Sequence, residues 1–304
     1  MSLVSNRHTV RGTSRPRSWQ VAVGAAALAL GLVLGVPVTA QADRDSRHDR
    51  GQGNSAGWYL ALGDSLAAGY QPGRTPPTDY EGGYVGRTLE ALREEKRRTR
   101  LTNLSCPGAT SVTMVDGGGA CSYRQGNQLD QALAFLHRHG RHTRLITLTV
   151  GANDVTPCLG VSTDPAVIQA CATQRLQTVG TNLTAMLTEL SEAAPRAEIV
   201  VTNYYNPYLA LYFDTVRRAL VPLTTQLQTA LNQTLAAASA GRAEVADVAT
   251  TFSSYVTAPV SATNPTPTNV AMVCAWTWMC TPYQDIHANE AGYAAIAEAI
   301  VATF

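Results

Sequence analysis

The stretch Trp58-Tyr59-Leu60-Ala61-Leu62-Gly63-Asp64-Ser65-Leu66 decides how the rest of this chain is read. Its first five residues form a short apolar run closed by a turn signal, the pattern of a buried strand. A strand that ends in a tight glycine turn delivers the next side chains to the carboxyl edge of a sheet. Ligands bind at that edge in open α/β folds. A serine placed there, as Ser65 is, acts as a nucleophile once a histidine reaches it. Gly-Asp-Ser alone is also ordinary turn chemistry, so the reading depends on what recurs downstream.

The same alternation continues to the end of the chain. Apolar runs predict strands over 58–62, 101–104, 145–150, 199–205 and 245–248. The run Leu145-Ile146-Thr147-Leu148-Thr149-Val150 is β-branched and nearly continuous, as in a strand buried on both faces. Helical spacing is predicted over 84–98 (Val85, Leu89, Leu92), 127–139 (Leu129, Leu133, Leu136), 166–194, 214–240 and 292–304. Strands alternating with helices predict a parallel sheet covered on both faces. Residues 256–269, rich in Thr, Pro, Ala and Asn, are expected to form a long irregular loop, a class that tends to be functional or disordered.

The first forty-odd residues read as targeting rather than fold. Arg7, Arg11, Arg15 and Arg17 precede an uncharged apolar run over 21–36, then Pro37 and the small residues Ala40-Gln41-Ala42. This layout predicts a secretory signal over 1–42, cleaved near Ala42. The rival is a retained membrane anchor, but the run falls short of the roughly 20 apolar residues of a span. No adjacent arginine pair precedes that run, which favours the general secretory route. Residues 43–57 are polar and read as a flexible leader before one domain over 58–304. Losing residues 1–42 removes four arginines and no acids, so the formal charge moves from +1 to −3. Such a chain lacks the basic stripe that nucleic acid requires.

Six cysteines, Cys106, Cys121, Cys158, Cys171, Cys274 and Cys280, suit disulfides in an exported chain. Sequential pairing is expected, because each neighbouring pair falls within one predicted loop region. The Cys106–Cys121 bridge then closes a loop worth about 3 kcal/mol in the chain-entropy model. A metal site is disfavoured, because no cysteine or histidine cluster has ligand spacing.

Acyl transfer from Ser65 needs a base, an orienter for the base and donors for an oxyanion. His287, in Gln284-Asp285-Ile286-His287-Ala288-Asn289, supplies an imidazole suited to general-base work. Asn289 better fits the capping role at the start of the last helix. His137, His139 and His142 sit at a predicted helix end, where basic groups complement the dipole. Gly108 follows the second strand and Asn153 the third. Each taken singly reads as turn chemistry. Together the polar turns converge on one crevice of a doubly wound sheet.

These residues resemble a known family. Gly63-Asp64-Ser65-Leu66, Gly108, Gly151-x-Asn153-Asp154 and His287 are similar, in order, to the four blocks of the SGNH (GDSL) hydrolases. The nearest likeness is to secreted actinobacterial lipases and esterases with three disulfides. The resemblance covers 58–304. It implies a three-layer α/β/α sandwich with a five-stranded parallel, flavodoxin-like sheet. It implies Ser65 as nucleophile, His287 as base, and an oxyanion hole from the Ser65 and Gly108 N–H groups and the Asn153 amide. No cofactor and no metal are expected, the expected partner is a small-molecule or lipid ester, and a monomer with no stable membrane anchor after signal cleavage is expected. The Gly-x-Ser-x-Gly pentapeptide of α/β-hydrolases is absent around Ser65.

One departure stands out. The family's acid usually lies three residues before its histidine, where this chain has Gln284; the acid here is Asp285. In an extended segment that shift moves the side chain to the opposite side. Either the Asp285 carboxylate or the Gln284 main-chain carbonyl then orients the ring, and the carboxylate is favoured because it also stabilises an imidazolium. Tyr204, Tyr205, Tyr208, Leu209, Leu211, Tyr212 and Phe213 are candidates for an acyl pocket. Trp276, Trp278 and Met279 fit either the site or packing under a disulfide loop. The expected function is a secreted ester hydrolase. A carbohydrate acetyl esterase, an acyl transferase and a non-catalytic binding protein on the same fold are the alternatives.

Overall fold

The computed structural model describes residues 57–95 and 98–304. The expected signal, and all of the expected leader except Gly57, lie outside the described residues. Gly57 itself opens the first strand. In chain order the main elements are β1 (Gly57–Gly63), α1 (Tyr84–Glu95), β2 (Thr99–Asn103), α2 (Ser111–Asp116), α3 (Gln128–His139), β3 (Thr143–Thr149), α4 (Ala152–Val155), α5 (Pro165–Ala193), β4 (Glu198–Thr202), α6 (Val221–Ser239), β5 (Glu244–Ala246), α7 (Val248–Thr251), β6 (Pro259–Ser261), β7 (Asn264–Pro267), α8 (Thr268–Trp276) and α9 (Glu290–Val301).

The main sheet has five strands in the order β2-β1-β3-β4-β5. Every pairing is parallel, with Leu60 opposite Ile146 and Leu62 opposite Leu148 in the central pair. This is the α/β arrangement expected from the alternating runs. Helix α1 packs on α9, while α3, α5 and α6 pack together. From Leu145 to Thr149 every β3 residue is buried, so the sheet is covered on both faces. Two threonines in that run are tolerated because their hydroxyls are paired. Tyr59 Oη meets Thr147 Oγ1 at 2.9 Å, and Tyr84 Oη meets Thr149 Oγ1 at 2.7 Å.

Strand order reverses between β1 and β3; the turn after β1 carries Ser65, and the short helix α4 after β3 carries Asn153. That is the switch point at which open α/β sheets form a crevice. The three cysteine pairs are sequential: Cys106–Cys121, Cys158–Cys171 and Cys274–Cys280. Among the described residues no helix is long and apolar enough to cross a membrane.

Several expectations need correction. Residues 256–269 do not form one irregular loop. They hold the antiparallel hairpin β6–β7 and the start of α8. Prolines at 259, 265 and 267 concealed a two-stranded ribbon that is all edge, where proline is tolerated. The helix expected over 214–240 starts only at Val221. Pro222 lies in its first turn, and the Asp214 carboxylate accepts from the Val216 and Arg217 N–H groups, holding a separate turn upstream. The short helix α2 was not anticipated, although Thr110 and Thr113 form a reciprocal cap at its start.

Candidate active site

Three side chains from the two ends of the domain meet at the carboxyl edge of the sheet. His287 Nε2 lies 2.7 Å from Ser65 Oγ, and His287 Nδ1 lies 2.6 Å from Asp285 Oδ1. A carboxylate only accepts, so Nδ1 carries the proton and Nε2 is free to accept from the serine hydroxyl. Burial pushes the Asp285 pKa up, but hydrogen bonds from the His287 ring and N–H outweigh it. The carboxyl is held below its ordinary value.

The acceptor on Nδ1 is therefore the Asp285 carboxylate rather than the Gln284 carbonyl. The two-residue spacing works because the segment is not extended. Gln284 adopts a left-handed φ of 45°, and Asp285 Oδ1 also accepts from the His287 N–H at 2.9 Å. This local turn folds the carboxylate back toward its own histidine. Neighbours fix the turn in place. Trp278 N–H donates to the His287 carbonyl at 3.0 Å, and Tyr205 Oη donates to the Ile286 carbonyl at 2.8 Å. The Tyr70 ring lies 4.3 Å from the imidazole, centroid to centroid.

The serine turn is held as firmly. Gly63 has a φ of 131°, and a Cβ there would collide with the Thr149 carbonyl, so only glycine fits. The Gln128 side chain, from α3, clasps the Gly63 peptide on both sides, accepting from its N–H at 2.6 Å and donating to its carbonyl at 3.2 Å. Asp64 is buried directly beside the serine. Its Oδ1 accepts from Leu66 N–H at 2.9 Å and its Oδ2 from Tyr204 Oη at 2.7 Å. Burial raises its pKa to about 6, against the opposing pull of those hydrogen bonds.

The expected oxyanion donors sit on neighbouring loops. The N–H groups of Ser65 and Gly108 donate to no described residue, which leaves both free. Gly108 is exposed at a φ of 80°, where glycine is the natural occupant. Asn153 lies beside Ser65 and His287 in one pocket. One of its Nδ2 hydrogens goes to the Ala109 carbonyl at 3.0 Å, and the second remains available. Asp154 binds the Ser111 N–H at 2.9 Å and the Ser111 hydroxyl at 2.7 Å, so the loops after β2 and β3 are tied together.

A pocket of about 90 Å³ opens beside Ser65, between α4, α6 and the turn over Pro207–Phe213. Of the aromatic run after β4, Tyr204, Tyr205 and Tyr208 line it. Leu209 instead packs with Val270 and Val273, Tyr212 and Met279 pack on that small cluster, Leu211 is buried and Phe213 is exposed. Trp276 packs edge-on against Phe252, and Trp278 donates to Gln71 Oε1 at 2.9 Å, so both serve packing. Sequence reading missed the rest of the wall, including Val155, Leu159, Leu227 and Leu231. The four-residue spacing of Leu223, Leu227, Leu231 and Leu235 was the available signal, but it marks a buried face without saying what that face meets. His139 packs at a tilt against Trp58, away from the site. Asn289 caps α9 by accepting from Gly292 N–H, as expected.

A family model described as GDSL-like lipase/acylhydrolase matches residues 61–295. No curated protein matches the chain. Among solved structures, the extracellular lipase of Streptomyces rimosus is similar at 18% identity and a TM-score of 0.53, covering 82% of this chain and 100% of that one. A lipase named Lip_vut3, from a goat rumen metagenome, is similar at 20% identity and a TM-score of 0.52, covering 81% and 97%. At those identities the likeness is one of fold.

Proposed function

Since the chain belongs to the GDSL-like lipase/acylhydrolase family, we propose that it is a secreted serine esterase or lipase that hydrolyses carboxylic esters through an acyl-enzyme on Ser65. The observation that carries this reading is the unbroken relay from Ser65 Oγ through the imidazole to the Asp285 carboxylate, with contacts of 2.7 and 2.6 Å at the mouth of an apolar pocket.

Ser65 Oγ attacks the ester carbonyl carbon as its proton passes to His287 Nε2. The carbonyl oxygen becomes an oxyanion, met by the free N–H groups of Ser65 and Gly108 and by the spare Asn153 hydrogen. Nε2 then returns the proton to the leaving alcohol oxygen as the C–O bond breaks. Water attacks the acyl-enzyme, yields a proton to Nε2, and the acid departs as Ser65 regains its hydrogen. Asp285 stays ionised throughout, holding the tautomer and stabilising the imidazolium.

Val155, Leu159, Leu227 and Leu231 favour an acyl chain longer than acetyl over a carbohydrate acetyl ester. The paired Ser65 and His287 argue against a non-catalytic binding protein. Three disulfides suit an oxidising compartment, in keeping with the amino-terminal signal pattern. The test is Ser65→Ala, which should abolish p-nitrophenyl butyrate hydrolysis and fluorophosphonate labelling while leaving the circular dichroism spectrum intact. Retained turnover in that folded variant overturns the assignment.

A further inference from the structure

One residue that lines the pocket carries a polar atom that its neighbours do not use. Gln228, on α6, is only 8% exposed and lines the pocket beside Leu227 and Leu231. Its Nε2 donates to the Tyr204 carbonyl at 2.7 Å. That bond fixes the amide's orientation, because a flipped amide would set two carbonyl oxygens against each other. Oε1 is therefore turned away from Tyr204. Among the described residues it accepts from no group, yet it is not sealed from solvent. Two other polar side chains on this wall, Asn206 and Thr224, are occupied. Asn206 Oδ1 accepts from Tyr208 N–H at 3.0 Å and its Nδ2 donates to Thr225 Oγ1 at 3.3 Å; Thr224 Oγ1 donates to the Val221 carbonyl at 3.1 Å.

We propose that Gln228 Oε1 reads the acyl chain, and that the pocket takes acyl groups carrying a hydroxyl donor. The inference rests on the ester-hydrolase reading above and adds the acyl class. A plain alkyl chain entering the pocket strips water from Oε1 and gives nothing back, and an acceptor buried without a partner is costly. A hydroxylated chain replaces that water with its own O–H. The backbone side of Gln228 has a substitute, since Asn232 Nδ2 also donates to the Tyr204 carbonyl, at 2.9 Å.

The test compares kcat/KM on matched p-nitrophenyl esters: butyrate with β-hydroxybutyrate, and hexanoate with ω-hydroxyhexanoate. One net hydrogen bond corresponds to about a tenfold preference. The wild-type protein should favour at least one hydroxylated ester over its alkyl partner by that factor, and Gln228→Met should bring the ratio to parity. Equal rates within both wild-type pairs overturn the inference, as does a preference that survives in Gln228→Met. The wild-type comparison decides the matter even if the variant fails to fold. Failure to hydrolyse any of the esters, together with no fluorophosphonate labelling of Ser65, overturns the hydrolase reading instead.

Discussion

Replacing Asp285 separates two jobs that one carboxylate performs. Oδ1 accepts from both the ring Nδ1 and the His287 N–H, while Oδ2 has no hydrogen-bond partner among the described residues. In Asp285→Asn the amide NH₂ takes the place of Oδ2, so both hydrogen bonds and the tautomer survive and only the charge is lost. At roughly 4 Å between charge centres, the attraction of carboxylate for imidazolium is about 4 kcal/mol at an effective dielectric of about 20, and about 1 kcal/mol in bulk water. Side-chain exposures of 14% for His287 and 23% for Asp285 place the pair between these limits. A loss of about 2–3 kcal/mol follows, or roughly 10²-fold in kcat/KM. Asp285→Ala removes orientation as well and should cost about 10⁴-fold, the scale seen when a serine-hydrolase histidine loses its tautomer. The assay is initial-rate hydrolysis of p-nitrophenyl butyrate by the wild type and both variants. If Asp285→Asn matches the wild type, the charge contributes nothing. If it falls as far as Asp285→Ala, the retained-tautomer argument is wrong.

Asn153→Ala should lower kcat by about 10²–10³-fold with little change in KM, as loss of one oxyanion donor does; a change confined to KM would reassign Asn153 to ground-state binding. Asp64 makes stability depend on pH. Its pKa is raised by burial to about 6 in the folded domain, above the ordinary value of about 3.9 for an unfolded chain. Between those values the folded state holds the proton more tightly. This group's contribution therefore falls as pH rises from about 4 to about 6, by at most about 3 kcal/mol. Urea denaturation of the wild type and Asp64→Asn at pH 4 and pH 7 should show the variant gaining relative stability at the higher pH; a pH-independent difference would refute the shift.

The parts of the site that follow strand ends were legible in the sequence, because a strand's apolar run and its glycine turn are local signals. Ser65, Gly108 and Asn153 could be placed at one sheet edge on that basis, and the alternation of strands and helices was enough for the sheet. What escaped notice came from partners distant in the chain. Gln128 looks like an ordinary surface residue of an amphipathic helix until its amide is seen around the Gly63 peptide. Gln228 sits in a stripe whose leucines announce burial and hide the polar atom among them. Asp285 was the favoured orienter, but the way it reaches the ring was not legible, because the left-handed Gln284 that bends the segment into a turn leaves no local sequence signal. The hairpin over 259–267 was hidden by prolines, which weaken every strand signal while leaving an all-edge ribbon intact.

Acid and base belong to one short turn, whereas the nucleophile lies 222 residues earlier in the chain. The carboxylate–imidazole couple thus moves as a single body, and whatever shifts that turn carries both partners with it. The seam exposed to loosening is the gap between the two ends of the domain. On warming, or after cutting near the carboxyl terminus, turnover should fail by separation across that seam while the couple itself stays paired.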